Sequence, residues 1–245
     1  MQIIPLSEGT FTIDHSKLFV PIDIDNEDLK SRPAGSLLVE IQPFVVITDK
    51  DVLLLDTGLG FEKNGTLQLF DNMQKAGIDP ASVTKVLLTH LHKDHAGAAC
   101  IEREGLGGRL SLPNATYYIQ QQELEFAFEK GFPSYMPEEL EGLKNTSQVK
   151  LLHGSGDIDN YIHYEISGAH SPFHQVFWIK ESNETIFFGG DEAPQLQQMK
   201  HRFAAKYDYD GKKAMELRQQ WWQQGEKEKW TFLFYHDVKN PVWGF

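Results

Sequence analysis

Cysteine is nearly missing from this chain. A single one, Cys100, occurs in 245 residues, so no disulfide can form within the molecule and a cross-linked secreted scaffold is excluded. Long apolar runs are missing as well. Met1-Gln2-Ile3-Ile4-Pro5 lacks the charged segment and apolar core of a secretory signal, and no run reaches the roughly 18 apolar residues of a membrane span. The expectation is a cytoplasmic protein without a membrane partner. Basic side chains are scarce: 23 Lys and Arg stand against 35 Asp and Glu, a formal charge of -12. Neutralising phosphates needs clustered cations, so a nucleic-acid partner is not expected. What is present is 40% hydrophobic and 12% aromatic residues, enough to bury a sizeable core in one domain spanning residues 1–245.

Histidine is concentrated rather than scattered. Thr89-His90-Leu91-His92-Lys93-Asp94-His95 follows the apolar run Val86-Leu87-Leu88 and precedes the small residues Ala96-Gly97-Ala98-Ala99. The short aliphatic run reads as a buried strand and the small residues as a turn into a helix. Alternation puts His90 and His92 on one side of an extended chain, and the turn brings Asp94 and His95 round beside them. Imidazole and carboxylate suit zinc, iron, nickel or manganese, and two ions could share the corner. Idle, separately solvated surface histidines are the alternative, which such clustering after a strand disfavours.

These residues resemble the signature of the metallo-β-lactamase-fold hydrolases, His-x-His-x-Asp-His after a strand. Four more stretches match that family's pattern in order: Leu53-Leu54-Leu55-Asp56-Thr57-Gly58, Gly168-Ala169-His170-Ser171-Pro172-Phe173-His174, Ile186-Phe187-Phe188-Gly189-Gly190-Asp191 and Leu233-Phe234-Tyr235-His236-Asp237. The resemblance implies an α/β, four-layer αββα sandwich, in which two mixed β-sheets pack face to face with helices on the outer faces. It also implies a ligand set. His90, His92 and His170 would hold one divalent ion, Asp94, His95 and His236 a second, with Asp191 bridging. Zinc is placed ahead of manganese, iron and cobalt. Asp56 would orient a ligand histidine, and His174 is read as structural.

The activity implied is hydrolysis. A metal-bridging hydroxide would attack the carbonyl of a small ester or lactone, with Asp94 orienting it and passing its proton to the leaving group. Among the family's branches, the absence of Cys at position 191 speaks against the β-lactamases, and His92 in place of Glu against the di-iron flavoproteins. Tyr117 to Glu125, Tyr207-Asp208-Tyr209-Asp210-Gly211 and Tyr235-His236-Asp237 look most like the quorum-quenching N-acyl homoserine lactonases, with a small molecule as substrate. Those lactonases carry a Tyr shortly after the bridging Asp, where this chain has Ala193-Pro194-Gln195; Tyr207, Tyr209 and Tyr235 are candidates to replace it. A glyoxalase-like thioesterase and a persulfide dioxygenase with one iron are the alternatives. The oligomeric state is left open.

The remaining elements follow from local pattern. Strands are expected at 10–13, 18–20, 37–41, 44–48, 52–55, 114–119, 161–166, 175–179, 185–188 and 230–234. Helices are expected at 64–79, with Leu67, Phe70, Met73 and Gln74 near one face, at 121–130 before Gly131, and at 211–224 after an Asp210 cap, with Ala214, Leu217 and Trp221 at core spacing. Phe132-Pro133-Ser134-Tyr135-Met136-Pro137 breaks regular structure, and its aromatics could form a lid over the substrate or pack against the preceding helix. Cys100 reads as a small buried hydrophobe.

Overall fold

The central strands of this chain are apolar on both faces because both faces are covered. A computed structural model describes residues 1–101, 108–144 and 146–245. Its strands are β1 (Gln2–Pro5), β2 (Gly9–Ile13), β3 (Phe19–Pro21), β4 (Leu37–Ile41), β5 (Phe44–Ile47), β6 (Val52–Leu55), β7 (Lys85–Leu87), β8 (Thr116–Gln120) and β9 (Val149–Leu152) in the first part. The second part adds β10 (Gly156–Ile158), β11 (Ile162–Ile166), β12 (Gln175–Glu181), β13 (Glu184–Phe188), β14 (Thr231–Leu233) and β15 (Val242–Gly244). Helices are α1 (Gln68–Lys75), α2 (Lys93–Ala96), α3 (Gln121–Lys130), α4 (Pro137–Leu140), α5 (Leu196–Lys200) and α6 (Gly211–Glu228).

The first sheet has the order β1-β5-β6-β7-β8-β9, antiparallel as far as β6 and parallel from there on. The second has the order β10-β11-β12-β13-β14-β15, antiparallel except for the parallel pair β13 and β14. Strands β3-β2-β4 form a smaller sheet whose last member leads into β5. Successive side chains point to opposite faces of a strand. Phe44, Val46, Leu53, Leu55 and Leu87 therefore meet Phe177, Ile179, Ile186, Phe188 and Leu233 between the sheets. Val45, Leu54 and Val86 point the other way, into a layer with Leu69 and Met73 of α1 and Leu124 and Ala127 of α3. Behind the second sheet, Trp178, Phe187 and Phe232 pack with Trp221 of α6 and with Trp230. The mixed αββα sandwich expected from sequence is the fold.

Two helices differ from the local pattern. Helix α1 begins at Gln68, not at 64, because Glu62–Lys63 pairs with Thr66–Leu67 in a small hairpin turned by Gly65 at φ +76; Leu69 and Met73 are buried, Phe70 packs partly buried against the same core, and Gln74 is exposed. Helix α6 is capped by the Asp210 carboxylate, which accepts from Lys213 N, and continues to Glu228. Its buried positions are Ala214, Arg218, Trp221 and Gly225, and Leu217 packs partly buried against the same core. Gly225 lets the helix close on the sheet, since a Cβ there would lie 2.4 Å from the Phe232 ring. Helix α3 and its stop at Gly131 lie where expected. Among the described residues, no helix is long and apolar enough to cross a membrane.

The topology sets where chemistry can occur. Parallel strands β6 and β7, and parallel strands β13 and β14, release Asp56, the Thr89–His95 segment, Asp191 and His236 at their carboxyl ends. Loops leaving the carboxyl ends of parallel strands are where α/β folds gather functional groups.

Glu8, between β1 and β2, gives a test of how the neighbouring loop is held. It is buried, its Oε2 accepts from Leu59 N at 2.7 Å, and its Oε1 has no partner. Burial pushes the carboxyl from its ordinary 4.5 up to about 7, against the Leu59 hydrogen bond. Between those values the folded state binds a proton that the unfolded state has lost, so stability falls as pH rises through that window. Glu8→Gln keeps the acceptor and removes the charge. It should be more stable than the wild type by about 3 kcal/mol at pH 8 and match it at pH 4.5. Urea unfolding of the metal-free proteins at both pH values checks this, and a gap that does not grow with pH would contradict it.

Candidate metal centre

Asp191 stands at the middle of two clusters. On one side His170 Nε2 lies 3.0 Å and His90 Nε2 3.9 Å from Asp191 Oδ2. His92 Nδ1 closes this group at 2.9 Å from His90 Nε2 and 3.2 Å from His170 Nε2. On the other side His236 Nε2 and His95 Nε2 lie 2.9 and 3.1 Å from Asp191 Oδ1. Asp94 Oδ2 is 3.6 Å from His236 Nε2 and 3.7 Å from His95 Nε2. All seven residues predicted from sequence converge, and the two carboxylate oxygens of Asp191 face different clusters. Within each group, His90-His92-His170-Asp191 and Asp94-His95-His236, the candidate ligand atoms lie within 4.8 Å of one another.

Surrounding groups fix the ring faces. His95 Nδ1 is 2.8 Å from Asp56 Oδ2, His170 Nδ1 is 3.0 Å from Asp208 Oδ1, and His236 Nδ1 is 2.7 Å from the Glu40 carbonyl. A carbonyl or an ionised carboxylate only accepts, so each Nδ1 carries the proton and each Nε2 of the neutral ring presents a lone pair. Those lone pairs point at the oxygens of a carboxylate. Such a contact is repulsive until a cation lies between the two, and His95 Nε2 and Asp191 Oδ1 are both buried without a hydrogen-bond partner. Six imidazole and carboxylate groups around a bridging carboxylate thus fit divalent ions on donor chemistry and on geometry.

The charges agree. Burial opposes ionisation of Asp191, yet His236, His95 and His170 hold its carboxyl well below the usual range. Burial drives protons off His90 and His92, which lie well below their ordinary value. For His95 the fields of Asp191 and Asp94 overcome burial and keep the ring well above 6.5, and His170 is raised by Asp191 and Asp208. In the metal-free protein a proton takes the cation's place.

Asp56 occupies the position expected of an orienting carboxylate. It sits at φ +54, uncommon for a residue with a side chain, and is held there by hydrogen bonds from Thr89 N and Thr89 Oγ1, each at 2.8 Å, besides the His95 ring. His174 is buried, facing Ser167 Oγ and accepting from Asp191 N, so it supports the bridging residue's backbone. Gly97 lets the α2 segment meet the loop after Asp56, since a Cβ there would be 2.3 Å from the Leu59 carbonyl. Cys100 is buried, and its thiol is pushed up to about 12 by that burial.

Sequence reasoning missed several supports. Asp208 lies 38 residues from His170, with no local signal beyond an acid between two tyrosines. Glu192 Oε1 accepts from Ala169 N and His170 N at 2.7 and 2.8 Å. Buried Arg218 donates to the Glu192 and Phe203 carbonyls at 3.0 and 2.6 Å, and so ties α6 to this loop. Of the three tyrosine candidates, Tyr235 stacks on His95 and donates to the Asp94 carbonyl at 2.6 Å. Tyr209 is 72% exposed. Tyr207 lies 6.2 Å, ring to ring, from His170.

The clusters open into a cavity of about 880 Å³. Phe126, Phe132, Phe173, Phe203 and Leu37 give it apolar walls, and His92, Asp94, His170, Asp191 and His236 are at its polar end. Phe132 to Tyr135 line it, with Phe132 exposed and Tyr135 buried 4.7 Å, ring to ring, from His92.

Known proteins fall in line with this geometry. A family model described as the metallo-beta-lactamase superfamily matches residues 39–221. The N-acyl homoserine lactonase AttM of Azorhizobium caulinodans is 32% identical over 117 residues, 42% of this chain and 38% of that protein. AttM of Rhizobium johnstonii is 31% identical over 144 residues, 54% of this chain and 49% of that protein. The chain thus spans less than half of the length of these curated relatives. A probable metal-dependent hydrolase from Staphylococcus aureus superposes with a TM-score of 0.78 at 19% identity, covering 99% of this chain and 91% of its own. AidC, a dizinc quorum-quenching lactonase solved with a product homoserine, superposes with a TM-score of 0.74 at 19% identity, covering 98% and 88%. At that identity the structures show the fold.

Protons and metal ions should compete here, because His95 and His170 hold protons above their ordinary pKa of 6.5. Metal uptake should release protons into weak buffer, and apparent affinity should climb with pH through and beyond 6.5. Affinity for zinc that stays flat from pH 6 to 8.5 would contradict the protonation scheme.

Proposed function

The chain belongs to the metallo-β-lactamase superfamily, and from that premise we propose that it is a dinuclear hydrolase of small acyl esters or lactones, with N-acyl homoserine lactones as the leading substrate class. One observation carries the reading: Asp191 presents one oxygen to each of two ligand clusters at the polar end of an apolar cavity. His90, His92 and His170 would hold one divalent ion and Asp94, His95 and His236 the other, with Asp191 shared and zinc the first choice. When bound, such a pair supplies hydroxide at neutral pH and positive charge for a developing oxyanion.

The protein's own groups supply the rest. Apolar walls take up an acyl chain and exclude water from it, which leaves the carbonyl as the part that seeks the polar end. Asp94 borders the cavity and both imidazoles of its cluster, where its carboxylate can take a proton from the nucleophile and return it to the leaving oxygen. Tyr207 replaces the tyrosine lacking after Asp191. Its hydroxyl accepts from Gln198 Nε2 at 3.2 Å, so its own proton stays available for a substrate oxygen. Burial pushes the phenol up to about 12, which keeps that proton in place at neutral pH.

Proton release from acyl lactones of short and long chain, with zinc- or manganese-loaded protein and a metal-free control, tests the reading. Release that needs metal is the expected result; none, with metal confirmed bound, would refute it. Asp94→Asn should lower turnover about 100-fold or more while keeping most of its metal, and equal loss of both would remove the shuttle. Tyr207→Phe should lower kcat/KM about tenfold, the value of one hydrogen bond of roughly 1.4 kcal/mol.

A further inference from the structure

Glu123 is a fully buried carboxylate in the first turn of α3, and no Lys or Arg pairs with it among the described residues. Burial pushes its carboxyl up, while three hydrogen-bond donors oppose that. Removing such a group from water is costly unless its oxygens are satisfied. Here they are, and all three donors belong to one neighbourhood. Oε1 accepts from Leu91 N at 3.0 Å and from the Tyr135 hydroxyl at 3.1 Å, and Oε2 accepts from Ser171 Oγ at 3.2 Å.

Each partner borders a different imidazole of the same cluster. Leu91 lies between His90 and His92, so holding its N–H fixes the peptide unit that carries His90 and the chain position from which the next residue, His92, departs. Tyr135 lies against the His92 ring. Ser171 follows His170, whose ring is otherwise held by Asp208. The three partners are 32, 12 and 48 residues from Glu123, so one side chain joins three separate stretches. None of these hydrogen bonds reaches Asp94, His95 or His236, which rest on Asp56, Tyr235 and the Glu40 carbonyl.

From this we infer that Glu123 is the positioning residue of the three-imidazole cluster: it sets the angle at which His90, His92 and His170 converge and leaves the Asp94-His95-His236 cluster untouched. The inference rests on the two-site reading above and assigns Glu123 no contact with substrate.

Zinc affinities of the two sites, measured by competition with a chromophoric chelator, and the visible spectrum of the cobalt-substituted protein separate the possibilities. Glu123→Leu fills a similar volume with no acceptor. It should weaken one site about 10- to 100-fold, the usual effect of removing a group that orients metal ligands, and leave the other unchanged. The cobalt band that changes should be the one that His170→Ala removes. Glu123→Gln keeps an oxygen for Leu91 N–H and should recover most of the affinity. If Glu123→Leu does not fold, Glu123→Asp, one methylene too short to reach all three donors, should show the same one-sided loss. Equal weakening of both sites, no weakening, or a Gln variant no better than Leu would overturn the inference while the two-site reading stands. Wild-type protein that binds no ion would overturn that reading and this inference together.

Discussion

A buried carboxylate that faces imidazole lone pairs on both of its oxygens cannot rest without positive charge, and Asp191 is in that position. Three of the surrounding rings are turned so that Nδ1 donates outward to Asp56, Asp208 or the Glu40 carbonyl, which commits Nε2 to the interior. The arrangement is therefore costly as an empty pocket and favourable as a cation site. The surrounding layers can be read as the means of holding it.

Strand direction is the first of those means. Parallel neighbours β6 and β7 in one sheet and β13 and β14 in the other bring three ligand-bearing loops and the loop of Asp56 to one edge of the sandwich. Packing is the second: the inner faces of the sheets interlock through Phe44, Leu55, Phe177 and Phe188, and Arg218 and Glu192 carry rigidity from α6 to the His170 backbone. A cavity lined by Phe and Leu side chains as well as by charged ones, with the ligand clusters opening into it, suits an amphipathic substrate, an acyl chain with a carbonyl at its head.

The ligands were legible in the sequence because all but His170 follow the end of a short apolar strand and the motifs occur in a fixed order. The sandwich followed from the same runs, apolar on both faces, and α3 from its composition and Gly131. What escaped local reading depends on distance along the chain. Nothing near Asp208 marks it as the partner of His170, and nothing in the helical period of α6 says that Arg218 is buried, since a buried Arg is intelligible only once carbonyls of Glu192 and Phe203 lie within reach. Helix α1 is shorter than its local pattern because the Glu62–Leu67 pairing competes with helix over residues with no strong preference. Tyr207 could be named as a candidate but not chosen, because its rivals were ruled out by contacts of Tyr235 and exposure of Tyr209.

Anomalous diffraction from crystals of the zinc-loaded protein, recorded at the zinc edge, tests the central claim most directly. The account predicts two peaks about 3.5–4 Å apart, one among His90, His92 and His170 and one among Asp94, His95 and His236, each in contact with a different oxygen of Asp191. A single peak, or two of which either fails to touch Asp191, would contradict it.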